Sequence, residues 1–203
     1  MQYDEMLANL ETFARQNFVP IVREKTIEKV CEILQNEDSH AVLEIGTAIG
    51  YSGIRMLHAS SQIKLTTIEK NQERFLQAKE NFKEFRCEER VVSINGDALD
   101  EIEKLQSEGK KFDFVFLDGP KGQYFKYLKI LKNLLTVGGI LFADNILLGG
   151  LVQDESRVCH KNRTMVRNMK SFIDMLEKDN DFETMVYDID DGFSISKLKK
   201  SAE

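Results

Sequence analysis

The sequence has few of the residues that mark secreted or membrane proteins. It contains 3 Cys in 203 residues and no CxxC pair, which excludes a disulfide scaffold or a zinc knuckle. No apolar run approaches the roughly 18 residues that a membrane-spanning helix needs. The first residues are acidic and amphipathic, so we expect no secretory signal. These absences predict a protein of the reducing cytoplasm without a membrane partner.

Proline is also scarce, and neither sign of charge dominates. The chain has 2 Pro, 12 Gly, 31% charged and 42% hydrophobic residues, and this composition excludes a disordered or low-complexity chain. Its 28 Lys and Arg against 34 Asp and Glu give a net charge of −6. This length fits one α/β domain better than two. We therefore predict a single domain over 1–203, with leading helices in 1–36 and an α/β core over 40–203.

Helical and strand-like patterns alternate along the chain. The spacing of apolar residues predicts two leading helices, over roughly 3–16 and 22–36. Short apolar runs then alternate with helix-length segments, which predicts a parallel sheet with helices on both faces. These runs are 41–46, 64–69, 90–96, 112–119 and 138–145.

The C-terminal part breaks this alternation. A predicted amphipathic helix near 161–179 is followed by two strand-like runs, 182–189 and 192–198, separated by Asp190 and Asp191. A connection this short predicts an antiparallel hairpin. Parallel strands closed by an antiparallel pair resemble the seven-stranded, Rossmann-like sheet of class I methyltransferases rather than the sheet of dinucleotide dehydrogenases.

A glycine-containing loop follows the first predicted strand and opens a helix. Small residues in 44–52 let the backbone approach a ligand, and the N–H groups of a helix N-terminus point at it. The dinucleotide fingerprint GxGxxG needs glycines where this chain has Gly46, Ala48 and Tyr51, so one position in the motif matches. A nucleoside without phosphates therefore fits this loop better than a pyrophosphate.

Acidic residues follow the next two predicted strands. Glu69 ends the second, where a carboxylate can accept hydrogen bonds from both ribose hydroxyls. Asp97 follows the third and would lie beside an adenine. Each acid alone would more commonly cap a helix. Because the loop and both acids follow three successive strands, we interpret them as a site for S-adenosylmethionine.

Polar residues also end the fourth and fifth predicted strands. Asp118 is followed by Gly-Pro-Lys121, and Asp144 and Asn145 end the fifth run. If the two strands are neighbours, two carboxylates and an amide oxygen converge at one edge, and this set suits Mg²⁺, Mn²⁺ or Ca²⁺ rather than zinc. The alternative is that these are ordinary turn residues, which either strand end alone would favour.

These motifs resemble those of the divalent-metal-dependent methyltransferases of the catechol O-methyltransferase type. The resemblance extends over nearly the whole chain. Within that family, the sequence is most similar to the bacterial tRNA 5-hydroxyuridine methyltransferases. The stretches that carry this similarity are 45–52, 118–124, 144–152 and 163–170.

The resemblance implies a role for each candidate residue. Lys121 would be the catalytic lysine, assisted by Asp118. Asp118, Asp144 and Asn145 would bind Mg²⁺ or Mn²⁺. The residues implied for S-adenosylmethionine binding are Val22, Glu44, Gly46, Ser52, Glu69, Asp97, Ala98 and Asp118. The resemblance also implies a homodimer.

Two kinds of acceptor stay open. Catechol and 5-hydroxyuridine each offer a hydroxyl beside a second oxygen, so either could chelate a divalent cation. The mammalian catechol enzyme has bulkier residues at the positions of Gly119 and Pro120. The resemblance therefore favours a small free catechol less as the acceptor. The resemblance therefore favours conversion of 5-hydroxyuridine to 5-methoxyuridine at the wobble position of tRNA, with a catechol-like phenol as the alternative.

A basic segment bears on this choice. Residues 157–170 hold five Lys or Arg and no acid, although the whole chain is acidic. Helical spacing predicts a basic row suited to the phosphates of a tRNA anticodon loop. The residues proposed for this contact are His160, Lys161, Arg163, Arg167 and Lys170. A solvated helix face is an equally weighted alternative. A non-catalytic RNA-binding module is a rival from another class of function.

Overall fold

Helices and strands alternate along the chain in the order that the sequence predicts. The computed structural model describes residues 2–199, so Met1 and 200–203 of the predicted domain lie outside the described residues. The helices are α1 (Tyr3–Gln16), α2 (Glu24–Asn36), α3 (Tyr51–Ala59), α4 (Gln72–Glu84), α5 (Ala98–Ser107), α6 (Tyr124–Leu134) and α7 (Arg163–Lys178). The strands are β1 (Ala41–Ile45), β2 (Lys64–Glu69), β3 (Val91–Asn95), β4 (Phe112–Leu117), β5 (Leu135–Asp144), β6 (Phe182–Tyr187) and β7 (Phe193–Leu198).

The largest difference from the predicted bounds is at the start of β5. The strand begins at Leu135 rather than at 138, because α6 ends at Leu134 and no loop separates the two elements. The sequence Thr-Val-Gly-Gly that follows Leu135 interrupts the apolar run, so the pattern concealed the first part of the strand. Helix α2 begins at Glu24 rather than 22, since Arg23 is extended with ψ of 152°.

The residues up to Ala98 form one compact unit, and those from Leu99 onward form a second. In the first unit, β2 pairs in parallel with both β1 and β3. The register places Glu44 opposite Thr67 and Glu69 opposite Asn95. Helix α3 packs closely on this part of the sheet, because a Cβ at Gly53 would lie 2.8 Å from Leu65 Cδ2.

In the second unit, β4 pairs in parallel with β5. Strand β7 is antiparallel to both β5 and β6, which confirms the predicted hairpin. Since β7 is antiparallel to both neighbours, β6 runs in the same direction as β5, and β7 is the one reversed strand of the hairpin. The turn before β7 packs against the segment that follows β5, where Ile146 N–H donates to Gly192 O (2.8 Å) and Leu147 N–H donates to Asp191 O (3.0 Å).

The strands form a seven-stranded sheet in the order β3-β2-β1-β4-β5-β7-β6. This order confirms the predicted fold class, a seven-stranded class I methyltransferase sheet with leading helices and a C-terminal antiparallel hairpin. A single domain over 1–203 stays a prediction. Among residues 2–199, none of the helices has the length and apolar character that a bilayer crossing requires.

Candidate active site

Glu69 connects the glycine loop to the end of β2. Its Oε2 accepts a hydrogen bond from Ala48 N–H (2.9 Å), and its Oε1 accepts one from Asn71 N–H (2.7 Å). The N-cap of α4 is Asn71, whose Oδ1 accepts from Arg74 N–H (2.9 Å). Because Asn71 supplies the cap, Glu69 is not needed for it, and this weakens the alternative that Glu69 merely caps a helix.

The side chains of Glu44 and Ser52, both predicted to bind the methyl donor, form a hydrogen bond with each other. The Glu44 side chain is fully buried, and its carboxylate accepts from Ser52 Oγ (2.5 Å) and Thr67 Oγ1 (2.5 Å). Gly46 adopts a left-handed conformation with φ of 105°, and its N–H donates to Ile68 O (3.0 Å). Because its N–H group is already bonded, Gly46 would not donate to a ligand. Its lack of a side chain would instead let a ligand come close to the backbone.

The remaining predicted donor residues lie at the end of β3 and before α2. Asp97 forms an ion pair with Lys70, whose Nζ lies 2.9 Å from Asp97 Oδ2. Ala98 begins α5 and is buried, and Val22 is buried in the connection between α1 and α2. Lys70 was not among the predicted site residues, although it directly follows Glu69.

Asp118, Asp144 and Asn145 come together in the second unit. The register of β4 and β5 places Leu117 opposite Ala143, so the next residues of both strands reach the same edge. Asn145 Nδ2 lies 3.0 Å from Asp144 Oδ2 and 3.4 Å from Asp118 Oδ1. The predicted convergence of two carboxylates and an amide is therefore present.

The electrostatics of this acidic trio suit a cation. Burial, and then the neighbouring Asp118 carboxylate, raise the pKa of Asp144 to about 7, although Lys121 opposes the shift. Asn145 Nδ2 donates towards both carboxylates, and a half-turn of the amide would present Oδ1 to the same point. Within 2–199, no group of three or more His, Cys, Asp or Glu side chains is arranged for a metal ion. The predicted site therefore needs the Asn145 amide oxygen as its third protein ligand.

Lys121 lies beside this trio, in a short 3₁₀ turn (Lys121–Gln123). Its Nζ is 2.5 Å from Asp118 Oδ1 and 2.9 Å from the Tyr124 hydroxyl. Tyr124 is fully buried, and burial raises the pKa of its hydroxyl well above the ordinary value. Tyr124 was not among the predicted site residues. The i, i+3 spacing from Lys121 was the available signal, since residues so spaced in a helical turn lie on the same side.

The predicted basic row lies on and before α7. Arg163 and Arg167 are exposed, and neither forms an ion pair within the described part of the chain. Lys170 is half-buried, and His160 and Lys161 are exposed in the preceding turn. A contact also links α7 to the turn that carries Lys121, because Asn168 Nδ2 donates to Gly122 O (3.0 Å).

The sequence and fold match known O-methyltransferases. The family model described as O-methyltransferase matches residues 3–199, and the chain belongs to this family. A candidate caffeoyl-CoA O-methyltransferase from Staphylococcus aureus is 34% identical, with a TM-score of 0.88 over 95% of this chain and 91% of that one. The O-methyltransferase TomG of Streptomyces achromogenes, solved in complex with SAM, is 25% identical, with a TM-score of 0.87 over 98% and 92% of the two chains.

Curated relatives point to the same family. A catechol O-methyltransferase of Niastella koreensis is 32% identical over 117 residues, which cover 57% of this chain and 53% of that protein. The resemblance to the catechol O-methyltransferase type is thereby confirmed. The similarity to tRNA 5-hydroxyuridine methyltransferases and the roles of the individual site residues stay predictions.

Proposed function

We propose that this O-methyltransferase uses S-adenosylmethionine and a divalent cation to methylate a hydroxyl group of an oxygen-rich acceptor. The observation that carries the proposal is the acidic trio, in which the Asn145 amide lies within hydrogen-bonding distance of both the Asp118 and the Asp144 carboxylate, beside Lys121. Family membership supports the reaction type. The complex of the related TomG with SAM supports the choice of donor.

Glu69 is suited to the ribose of the donor. Each oxygen of an ionised carboxylate can accept about two hydrogen bonds. One position on each Glu69 oxygen is used, by Ala48 N–H and by Asn71 N–H. A second position on each oxygen would accept a ribose hydroxyl. The two N–H donors also hold the carboxylate in place.

The acidic trio would hold Mg²⁺ or Mn²⁺. When bound, such an ion would lower the pKa of the acceptor hydroxyl and orient the acceptor. Lys121 would receive the hydroxyl proton or stabilise the developing negative charge. The acceptor oxygen then forms a bond to the methyl carbon as the bond from that carbon to the sulfonium sulfur breaks, which leaves S-adenosylhomocysteine.

We further propose that the acceptor is 5-hydroxyuridine in the anticodon loop of tRNA. The exposed guanidinium groups of Arg163 and Arg167 support this choice, since they have no ion pair among residues 2–199 and suit phosphates. The contact from Asn168 to Gly122 O ties their helix to the turn of Lys121. An unpaired loop base can be turned outward at modest cost.

A catechol-like phenol is the second candidate. The relatives of Niastella koreensis and Mycobacterium tuberculosis named as catechol O-methyltransferases, 32% and 30% identical, favour it. The same acidic trio would serve either acceptor, because both present adjacent oxygens. The two candidates therefore differ in their dependence on the basic face of α7.

A direct assay separates these functions. The enzyme, stripped of metal with a chelator, is given labelled S-adenosylmethionine and either tRNA carrying 5-hydroxyuridine or free catechol, with and without Mg²⁺ or Mn²⁺. We expect 5-methoxyuridine in digested tRNA when the metal is restored. Methylation of catechol alone would overturn the tRNA proposal. A Lys121→Ala variant with full activity would show that Lys121 is not the catalytic lysine. A chain that binds tRNA but methylates neither acceptor would support the non-catalytic RNA-binding module.

We also propose a homodimer formed through the leading helices. Two large apolar side chains there are exposed, namely Phe13 at 39% and Phe18 at 92%. Exposed apolar side chains that form one contiguous patch commonly mark contact surfaces, and the proposal places both phenylalanines in such a patch. Light scattering should give the mass of a dimer, and Phe18→Ser should shift it towards the monomer. A monomeric wild-type chain would contradict this proposal.

A further inference from the structure

The buried Tyr124 presents its hydroxyl to Lys121. Besides the 2.9 Å contact with Lys121 Nζ, the hydroxyl oxygen lies 2.9 Å from Leu117 O and 3.2 Å from Asp144 O. A phenol hydroxyl has a single proton, and both carbonyl oxygens are acceptors only. The proton is therefore committed to the carbonyls, and a lone pair of the hydroxyl oxygen faces the Lys121 amine.

The ring of Tyr124 is itself fixed by its surroundings. It contacts Phe172 of α7 edge to face, with ring centroids 5.3 Å apart and an interplanar angle of 73°. The side chain is fully buried at the first position of α6. Because the ring packs tightly and the hydroxyl is anchored on the carbonyl that ends β4, the hydroxyl cannot turn away from Lys121 without breaking buried contacts.

We propose that Tyr124 is the positioning residue for Lys121, holding its amine beside Asp118 through a hydrogen bond from Lys121 to the tyrosine hydroxyl. The inference rests on the proposed function, which makes Lys121 the group that serves the acceptor hydroxyl. Asp118 alone is an insufficient anchor, because the same carboxylate is assigned to the cation. The neutral Tyr124 oxygen supplies an anchor that does not compete for a metal ion.

The test is Tyr124→Phe, which removes the hydroxyl and keeps the ring against Phe172. We expect kcat to fall about tenfold, the size of effect typical for losing a hydrogen bond to a charged group. The KM for S-adenosylmethionine and the affinity for S-adenosylhomocysteine should stay within about twofold. In a Lys121→Ala background, the same substitution should cause no further loss of kcat, because a residue that acts through Lys121 has nothing left to position.

Tyr127→Phe is the matched control, since Tyr127 is a buried tyrosine of the same helix. It should leave kcat within about twofold, whatever its effect on Tm. A crystal structure of Tyr124→Phe supplies a measurement that is independent of turnover, and the Lys121 amine should be displaced from Asp118. An amine that stays in place, or a Tyr124→Phe enzyme with wild-type kcat, overturns the inference. Failure of the proposed function is distinguishable, because Lys121→Ala would then keep its kcat whether or not the crystal structure shows a displaced amine.

Discussion

The candidate-site acids of the first unit and those of the second are held in different ways. Glu44 and Glu69 each accept hydrogen bonds from neutral hydroxyl or N–H donors. Asp118 and Asp144 instead lie close to one another, and the pKa of Asp144 is raised to about 7 by burial and by its neighbour. These acids of the first unit thus have neutral donors as partners. The two carboxylates of the acidic trio have a positively charged neighbour, Lys121, and the proposed cation would supply the further positive charge.

Asp144→Ala should have the largest effect, and it tests whether the acids of the second unit bind a cation. Removing one of two mutually repelling carboxylates should abolish cation uptake and lower kcat by about 100-fold or more. Without metal, the variant should be no less stable than wild type in thermal unfolding, since the raised pKa of Asp144 reports an unfavourable buried charge. Calorimetric titration with Mn²⁺ and steady-state rates would measure both effects.

Asp174→Ala is the control for this substitution. Asp174 is an exposed acid of the same unit, in an ion pair with Lys178. Its loss should change neither Mn²⁺ binding nor kcat. Full Mn²⁺ uptake by Asp144→Ala would contradict the assignment of the acidic trio.

The donor side can be tested through Glu69→Gln. The amide replaces one of the two oxygens that accept N–H groups and has fewer positions for ribose hydroxyls, so affinity for S-adenosylhomocysteine should fall about tenfold. Glu73→Gln, an exposed change in the first turn of α4, should leave that affinity unchanged. Fluorescence or calorimetric titration would decide, and equal affinities for the two variants would remove Glu69 from the donor site.

Gly192→Ala tests how the acidic trio is supported. A Cβ at this position would lie 2.2 Å from Leu147 Cγ, and φ is 76°, a conformation that favours glycine. We expect a loss of about 2 kcal/mol in unfolding free energy. Since Leu147 follows Asn145 closely, weaker Mn²⁺ binding should accompany the loss. Unchanged urea denaturation would show that the turn before β7 tolerates a side chain.

The smallest expected effect concerns the basic face of α7. Changing Arg163 and Arg167 together to alanine should lower kcat/KM for tRNA about fivefold and reduce its salt dependence. Affinity for S-adenosylhomocysteine should not change. Lys178→Ala, which removes a positive charge at the other end of α7, is the control. If both variants methylate tRNA as wild type does, the basic row is a solvated helix face.

Sequence patterns were sufficient for the elements of the fold and for the acidic trio. Parallel strands that are neighbours end at the same edge, so the resemblance to a methyltransferase sheet, in which these two strands are neighbours, predicted that Asp118 and Asp144 converge. The hidden part of β5 shows where the patterns failed. The hidden residues, 135–137, follow a helix directly and are separated from the continuous apolar run by Gly138 and Gly139, so neither a turn nor an unbroken apolar run marked them.

The order of helices and strands, the hairpin, the family resemblance and the candidate ligands were determined by the sequence alone, because periodicity and short motifs are local properties. The tertiary structure decided which partners those side chains have. Only it placed Tyr124 against Lys121, Ser52 and Thr67 on Glu44, and Asn168 on Gly122. Such contacts depend on side-chain packing, and in two of the four pairs, Thr67 with Glu44 and Asn168 with Gly122, they join residues distant in the chain, which local patterns do not specify.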